Sequence, residues 1–391
     1  MKTKSFLLLF TLLFHFQHVH AQDATEQKIK KLASSWLGKK SGGLIIGVRK
    51  GGLNKVYYFG ETKPGTKEKP DNNSLFELGE LTEIFTTTLY SELVFDKLIG
   101  ADDPLQNFLP EEIQSPYYLK IICEPVAKDT RFDKDGKDGN AGIHFSPYVC
   151  RPDPKSVPQP VLLCYLVNHT SGLPEFPDNM NKSSKDPLAE YTVEELYSFL
   201  KDYQIINKEE FTYRYSLVGM GLLGHVMEKK SGMDYNDLLN QKIKTPLGLT
   251  STFIYKKDDD SKLLTGFDSR GKMMEHMHYG VLKGSKGMCS TITDMMKTLE
   301  ANMFSERGHL SEIFSYNQKS RIKLSNNNEL ALGWNIKTAD DGNKLTWKQG
   351  TTNGFSSYIG FYKDQGEGVV ILSSISKDSK KMGEEIIDLL R

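Results

Sequence analysis

Residues 76–110 read FELGELTEIFTTTLYSELVFDKLIGADDPLQNFLP, and this stretch decides the fold. Its apolar side chains, from Leu81 through Phe85 to Leu93, recur at the spacing of one helix face. That spacing predicts a long amphipathic helix with one buried face. Gly100 is placed to end this helix, because glycine readily adopts the left-handed backbone found just after a helix.

Two carboxylates, Glu80 and Glu83, stand at the start of this helix. On spacing alone they need no function, since acidic residues in a first helical turn stabilise a helix by about 0.3–1 kcal/mol. Residues three apart also lie on the same side of a helix. The pair is therefore open to two interpretations, a solvated helix start and a pair of site residues.

The same stretch resembles the nucleophile region of the serine β-lactamase and penicillin-binding protein superfamily, in its class C-like esterase and DD-peptidase branch. The family pattern is F-x-I-G-S-x-T-K-x-F-T, then an apolar helix, an Asp-Asp-Pro and a Leu-Pro. The matching residues here are Phe76, Gly79, Thr82, Phe85, Thr86, Gly100, Asp102, Asp103, Pro104, Leu109 and Pro110. Glu80 stands at the position of the nucleophilic serine, and Glu83 stands at the position of the lysine.

Two further stretches in the middle of the chain carry the resemblance. Residues 162–174, LLCYLVNHTSGLP, are similar to the family's L-L-x-H-T-S-G-L-P, in which His169 has a structural position at the floor of the site. Residues 211–224, FTYRYSLVGMGLLG, resemble F-x-Y-S-N-x-G-Y-x-L-L-G. Tyr215 matches the tyrosine that acts as a general acid or base, and Ser216 matches the serine. Leu217 replaces the asparagine.

Near the C-terminus, residues 347–357, WKQGTTNGFSS, resemble the third motif, H/K-T-G-G-x-x-G-F-S-S. Lys348 fills the basic position, Gln349 replaces the threonine and Gly350 is the glycine. The resemblance thus implies a catalytic set of Glu80, Glu83, Tyr215 and Lys348. It implies substrate-binding positions at Ser216, Gln349, Gly350 and Thr351.

The resemblance covers about residues 40–391, and its motifs occur in the family's order. It implies an α/β chain of the α+β type with the serine β-lactamase-like fold. Such a fold has an antiparallel sheet flanked by helices and a mostly helical lobe, with the site in the cleft between them.

The first 21 residues are predicted to be a signal peptide. Lys2 and Lys4 precede an apolar run from Phe6 to Phe14, which is too short for a membrane-spanning helix, and Val19-His20-Ala21 offers a small-x-small cleavage site. We therefore expect cleavage near Ala21, export to the periplasm or the medium, and a domain over residues 22–391 with no membrane span.

Charge and cysteine content set further limits. The chain has 50 basic and 50 acidic residues, so no nucleic-acid partner is expected. A polar insertion at about 111–159 contains DKDGKDG, which lacks the acidic twelfth residue of a calcium loop. Cys123 and Cys150 flank that insertion and are predicted to form a disulfide, which export permits. No metal-type cysteine and histidine spacing is present.

Local patterns predict several other elements. Two strand-like runs, 44–48 and 56–59, flank a Lys-Gly-Gly turn and predict a hairpin. Residues 22–41 indicate a first helix. Thr192 and Glu195 have the spacing of a capping box for a helix over 190–203. Ser290 or Thr291 is placed to cap another helix. A last strand near 368–374 precedes a closing helix.

Three functions remain open. The first is a secreted pseudoenzyme that binds a small molecule or peptide in its cleft, with Glu80 or Glu83 simply paired to Lys348. The second is a re-purposed acid/base enzyme (an isomerase, lyase, cyclase or non-covalent hydrolase) in which repulsion between the two carboxylates raises one pKa. A classical serine hydrolase ranks last, because both residues of its catalytic pair are missing. No cofactor and no metal is expected.

Overall fold

The computed structural model describes residues 24–125, 148–205, 212–257, 259, 263–304 and 308–391. The predicted signal peptide and the DKDGKDG run lie outside these residues.

An eight-stranded antiparallel sheet forms the centre of the described chain. The strands of the described chain are β1 (Gly43–Lys50), β2 (Leu53–Gly60), β3 (Phe76–Glu77), β4 (Tyr117–Tyr118), β5 (Ile121–Pro125), β6 (Tyr148–Pro152), β7 (Gln159–Pro160), β8 (Phe253–Ile254), β9 (Gly266–Phe267), β10 (Met273–Met274), β11 (Met288–Ser290), β12 (Ile322–Lys323), β13 (Asn328–Leu330), β14 (Asn335–Thr338), β15 (Lys344–Thr351), β16 (Ser356–Tyr362) and β17 (Glu367–Ser373). The central sheet has the order β12-β13-β14-β15-β16-β17-β1-β2.

The helices cover both faces of this sheet and build a separate lobe. They are α1 (24–37), α2 (Thr82–Phe95), α3 (Leu163–Val167), α4 (Val193–Asp202), α5 (Leu217–Ser231), α6 (Tyr235–Leu239), α7 (Thr245–Leu247), α8 (Lys283–Lys286), α9 (Ile292–Phe304), α10 (His309–Asn317) and α11 (Lys380–Leu390). A 3₁₀ turn, Gly79–Leu81, precedes α2. The predicted α+β architecture, with an antiparallel sheet, flanking helices and a helical lobe, is confirmed.

Strand β1 shows how the sheet separates two cores. Leu44 and Ile46 pack on one side with Trp36 of α1 and Ile386 of α11. Ile45 points to the opposite side, into the core that contains α2, α5 and α9. This alternation follows from the two-residue period of a strand. Both faces of the sheet are therefore covered by helices.

Several local predictions are confirmed. β1 and β2 form the expected hairpin, whose turn places Gly51 and Gly52 at φ of 57° and 80°. Thr192 and Glu195 make both hydrogen bonds of a capping box at α4. Thr291 caps α9 by accepting the Asp294 N–H.

Helix α2 is buried on all sides, not on one face as its pattern predicted. It packs between α5, α8 and α10. Its threonines account for the difference, because their hydroxyls donate to backbone carbonyls inside the protein. Thr87 and Thr88 donate to Ile84 O of the same helix at 3.1 and 2.7 Å, and Thr86 donates to Gly284 O of α8 at 2.5 Å. These hydroxyls are satisfied without water.

The described ends of the polar insertion form two small ladders, β4 with β7 and β5 with β6. Cys123 is disulfide-bonded and stands opposite Cys150 in the β5–β6 register, which agrees with the predicted pairing. Cys164 and Cys289 are not disulfide-bonded. Among the described residues, no helix has both the length and the hydropathy needed to cross a membrane.

Candidate functional site

The site lies where the 3₁₀ turn before α2 meets the end of β15, and two glycines make this close approach possible. A Cβ on Gly350 would lie 2.1 Å from Leu78 O and 2.9 Å from Glu80 N. Gly79 has φ of 55°, and a Cβ there would lie 2.5 Å from Thr351 N. Only glycine fits at such contacts. Gly350 thus serves the backbone packing that brings Glu80 to Thr351.

Glu83 is buried in an ion pair with Lys348. Its side chain is 0% exposed, and its Oε2 lies 2.5 Å from Lys348 Nζ and 3.2 Å from His169 Nε2. Burial alone would raise the pKa of Glu83, but Lys348 and His169 outweigh it and lower that pKa to about 2. Burial likewise opposes the charge on Lys348, yet Glu83 raises the Lys348 pKa above its ordinary value. The expected pairing with Lys348 is present.

His169 orients Glu83. The backbone N–H of Ser216 donates to His169 Nδ1 at 3.2 Å, so Nδ1 is an acceptor and Nε2 is the nitrogen that carries a proton. That proton points to Glu83 Oε2. His169 itself has φ of 56°, just after the end of α3. The sequence assigned His169 a structural position, and the structure adds its direct contact with a site carboxylate.

Glu80 is held at both oxygens by different groups. Its Oε2 accepts the Thr351 N–H at 2.6 Å, and its Oε1 lies 2.7 Å from Lys286 Nζ. Lys286 is the last residue of α8. No local sequence signal pointed to Lys286, since the contact joins residues 206 positions apart.

Mutual repulsion of the two acids does not set the ionisation of Glu83. The sequence predicted that repulsion and partial burial would raise one of the two pKa values. For Glu83 the direction is opposite, because Lys348 and His169 stabilise its charged form.

Tyr215 stands beside both carboxylates. Its ring centroid is 4.8 Å from that of His169, and Lys286 Nζ lies 5.5 Å from it. The Tyr215 hydroxyl and Glu83 Oε1 are buried, with no hydrogen-bond partner at normal distance among the described residues. Burial, followed by the charges of Glu83 and Glu80, raises the pKa of Tyr215 well above its ordinary value. Tyr215 therefore stays protonated at neutral pH.

A cavity of about 310 Å³ opens beside this cluster. Its apolar wall consists of Phe176, Leu217, Met277 and Tyr279, and its polar lining includes Lys286, Gln349, Thr351 and Asp378. Two of the predicted substrate-binding residues, Gln349 and Thr351, line this space.

Ser216, the remaining predicted binding residue, is engaged within the protein. Its hydroxyl donates to Pro174 O at 2.8 Å and accepts the Gly219 N–H at 2.8 Å. It caps α5, and the side chain is fully buried. The cavity is lined by its neighbour Leu217, which stands where the family pattern has asparagine.

The only group of histidine, cysteine and acidic side chains that the described residues bring close enough to share a metal ion lies elsewhere. It consists of Glu92, Asp96 and His309. Lys242 lies in the same cluster, 2.5 Å from Asp96 and 3.9 Å from Glu92, and supplies positive charge there.

Comparison with known proteins supplies the family context. The sequence model of the Beta-lactamase family matches residues 26–390. The D-alanyl-D-alanine-carboxypeptidase/endopeptidase AmpH of Escherichia coli (strain K12) is 22% identical over 369 residues, covering 90% of this chain and 85% of that protein. A Beta-lactamase of Pseudomonas fluorescens is 21% identical, covering 85% of this chain and 88% of the relative.

Solved structures share the fold. The Beta-lactamase/D-alanine Carboxypeptidase from Yersinia pestis, complexed with citrate, matches with a TM-score of 0.72 at 19% identity, covering 94% of this chain and 99% of that one. A class C beta lactamase from Rhodobacter sphaeroides matches with a TM-score of 0.69 at 21% identity, covering 95% and 98%. At such identities the comparison with solved structures shows the fold alone.

Proposed function

The chain belongs to the Beta-lactamase family, and we propose that it is a secreted member that binds a ligand in its cleft without acylating itself. The observation that carries this proposal is the state of Glu80. A carboxylate stands where the resemblance places the attacking hydroxyl, and both of its oxygens are held, by Thr351 N–H and by Lys286.

Acyl transfer needs a nucleophile that forms a stable acyl intermediate and a base that deprotonates it. Attack by Glu80 would give an anhydride, which water hydrolyses rapidly. Glu83 cannot replace the lysine of the family pattern, because it carries the opposite charge and is bound to Lys348. The serine and lysine that perform acylation in the family pattern are therefore missing, and neither Glu80 nor Glu83 can take over their chemistry.

The acid/base alternative, using Glu80, Glu83, Tyr215 and Lys348, has less support. An efficient general acid or base has a pKa near the working pH. The pKa of Glu83 is lowered to about 2, and the pKa values of Lys348 and Tyr215 are raised above already basic ordinary values. These three groups keep one protonation state around neutral pH.

The relatives indicate which ligands to test first. They are named as β-lactamases and as a D-alanyl-D-alanine-carboxypeptidase/endopeptidase. We expect small molecules or peptides in the cleft, and a penicillin and a peptide ending in D-Ala-D-Ala are the first candidates. In this proposal they are bound without being cleaved.

The test is intact-mass analysis of the mature protein after incubation with a penicillin and with p-nitrophenyl acetate. We expect no mass increase and no substrate loss above the buffer rate. A stable adduct on any serine would refute the proposal. The matched control is the double variant E80S/E83K, which restores both residues of the family pattern and reports whether the rest of the site still supports acylation.

Two further measurements complete the test. Loss of a measurable reaction in the E83Q variant, with folding retained, would favour the acid/base alternative. N-terminal sequencing of the exported protein is expected to begin after Ala21, as the proposed signal peptide requires.

A further inference from the structure

Glu80 and its two partners form an anion-binding site that the protein fills with its own side chain. We propose that Glu80 is a tethered anion in a cradle made by Thr351 N–H and Lys286, and that it keeps the carboxylate group of a ligand, including that of a penicillin or a D-Ala-D-Ala peptide, out of this end of the cleft. Removing its carboxylate should convert the cleft into a carboxylate-binding site. The inference rests on the proposed ligand-binding function and names the residue that sets its charge selectivity.

The cradle has the composition of an anion site. A backbone N–H and an ammonium group lie 2.6 and 2.7 Å from the two oxygens of one carboxylate. Hydrogen bonds at such distances in which at least one partner is charged are the strong ones in proteins. The donor from the backbone cannot move aside, because Gly79 and Gly350 pack the 3₁₀ turn directly against β15. The cradle is therefore preorganised whether or not Glu80 fills it.

The cradle also adjoins open space. Both Lys286 and Thr351 line the cavity of about 310 Å³, so removal of the Glu80 carboxylate would leave these two donors facing it. Glu80 retains 18% side-chain exposure, whereas Glu83 has none. Phe176, Met277 and Tyr279 on the apolar wall offer contacts for an aromatic group attached to the incoming carboxylate.

The charges of the site explain the exclusion. Glu80 neutralises Lys286, and Glu83 neutralises Lys348. Asp378 adds another carboxylate to the cavity lining. An anionic ligand would have to displace Glu80 from both donors and then lie near its charge, while a neutral polar ligand meets no such opposition.

The experiment compares phenylacetate, acetate and the uncharged phenylacetamide as ligands of the wild type, E80A and E80Q. Binding is measured by titration calorimetry and by ligand-observed NMR. E80A empties the cradle, whereas E80Q is the matched control that keeps the side chain's length and fills the cradle without charge. E80S is a second truncation. Cooperative thermal unfolding shows whether E80A and E80S are folded, and one folded variant of the two is sufficient for the comparison.

We expect the truncated variant to bind phenylacetate at least about tenfold more tightly than the wild type or E80Q, the gain typical of a charge-assisted hydrogen bond. Acetate should follow the same order more weakly, and phenylacetamide should gain little. Adding K286M to the truncated variant should abolish the gain.

Equal phenylacetate binding by wild type and truncated variant would overturn the inference. An equal gain for phenylacetamide would also overturn it, because the effect would then be one of space and not of charge. These outcomes are independent of the acylation test. A mass adduct on the wild type would refute the proposed function, and that test involves no carboxylate titration.

Discussion

Replacing Glu83 by glutamine tests the buried ion pair between Glu83 and Lys348. The substitution keeps the shape of the side chain and removes one negative charge from a position with 0% side-chain exposure. Lys348, whose side chain is 12% exposed, would then keep its ammonium group without its direct partner. The next acid, Glu80, is already held by Lys286.

The expected cost follows from this geometry. Removing one partner of a buried ion pair typically costs about 3–5 kcal/mol, because the remaining charge is left in a poorly solvated place. The glutamine oxygen can keep a neutral hydrogen bond to His169, which restores about 1 kcal/mol. We therefore expect E83Q to lower the free energy of unfolding by roughly 3 kcal/mol.

The assay is urea unfolding followed by tryptophan fluorescence and circular dichroism. The matched control is E385Q, which makes the same chemical change in the exposed pair of Glu385 with Lys381, 3.8 Å apart. That change should cost less than about 0.5 kcal/mol. The double variant E83Q/K348M should be more stable than E83Q, because it also removes the stranded charge.

A loss in E83Q no larger than in E385Q would refute this reasoning. It would mean that Lys348 finds another partner or reaches solvent, and that Glu83 is not the acid that compensates its charge.

Three more outcomes are expected. Because the folded protein lowers the pKa of Glu83 from 4.5 to about 2, this residue contributes stability that is present above pH 4.5 and lost as the pH falls towards 2. A plot of unfolding free energy against pH should be shallower for E83Q than for the wild type in that window, and parallel curves would contradict the assignment. Gly350→Ala places a Cβ 2.1 Å from a carbonyl oxygen, so urea unfolding should show a loss of at least about 1–3 kcal/mol; an unchanged midpoint would show that the turn and β15 can separate. In denaturant without reductant, thiol titration should count Cys164 and Cys289 only, and four thiols would exclude the bridge at Cys123.

Sequence predicted the elements whose signals are local. The capping box at α4 needs only Thr192 and Glu195, three residues apart, and the β1–β2 hairpin needs only the glycine turn between two apolar runs. Such patterns are read within one turn of chain, so tertiary packing has little chance to override them.

The complete burial of α2 could not be predicted from a local sequence pattern. Its threonines are polar in sequence, yet Thr87 and Thr88 direct their hydroxyls to a carbonyl of their own helix and pack as apolar residues. A pattern that separates polar from apolar positions therefore underestimated how much of α2 is enclosed. The consequence for the site is large, because this enclosure is what removes water from Glu83.

The site itself was only half predictable. The order of the family-like motifs placed Glu80, Glu83, Tyr215 and Lys348 together. The partners that hold the two acids come from distant parts of the chain, and although His169 lies in a family-like motif, nothing in the sequence indicated its contact with Glu83 or that of Lys286 with Glu80. His169 reaches Glu83 across 86 residues, and Lys286 meets Glu80. The direction of the Glu83 pKa depends on such contacts and could not follow from the helix alone.

The two acids share one form of stabilisation and differ in exposure, and this difference separates their roles. Each carboxylate contacts one lysine and one N–H donor: Lys348 and His169 for Glu83, Lys286 and Thr351 for Glu80. Replacing either acid by a neutral residue leaves a lysine uncompensated. The two lysines are similarly enclosed, with side-chain exposures of 12% for Lys348 and 11% for Lys286, whereas Glu83 is 0% exposed and Glu80 is 18% exposed. Replacing Glu83 leaves a charge at a position closed to solvent, so the effect falls on stability. Replacing Glu80 leaves Lys286 and Thr351 beside an open cavity, so an anion from solution can take the vacated place and the effect falls on ligand selection.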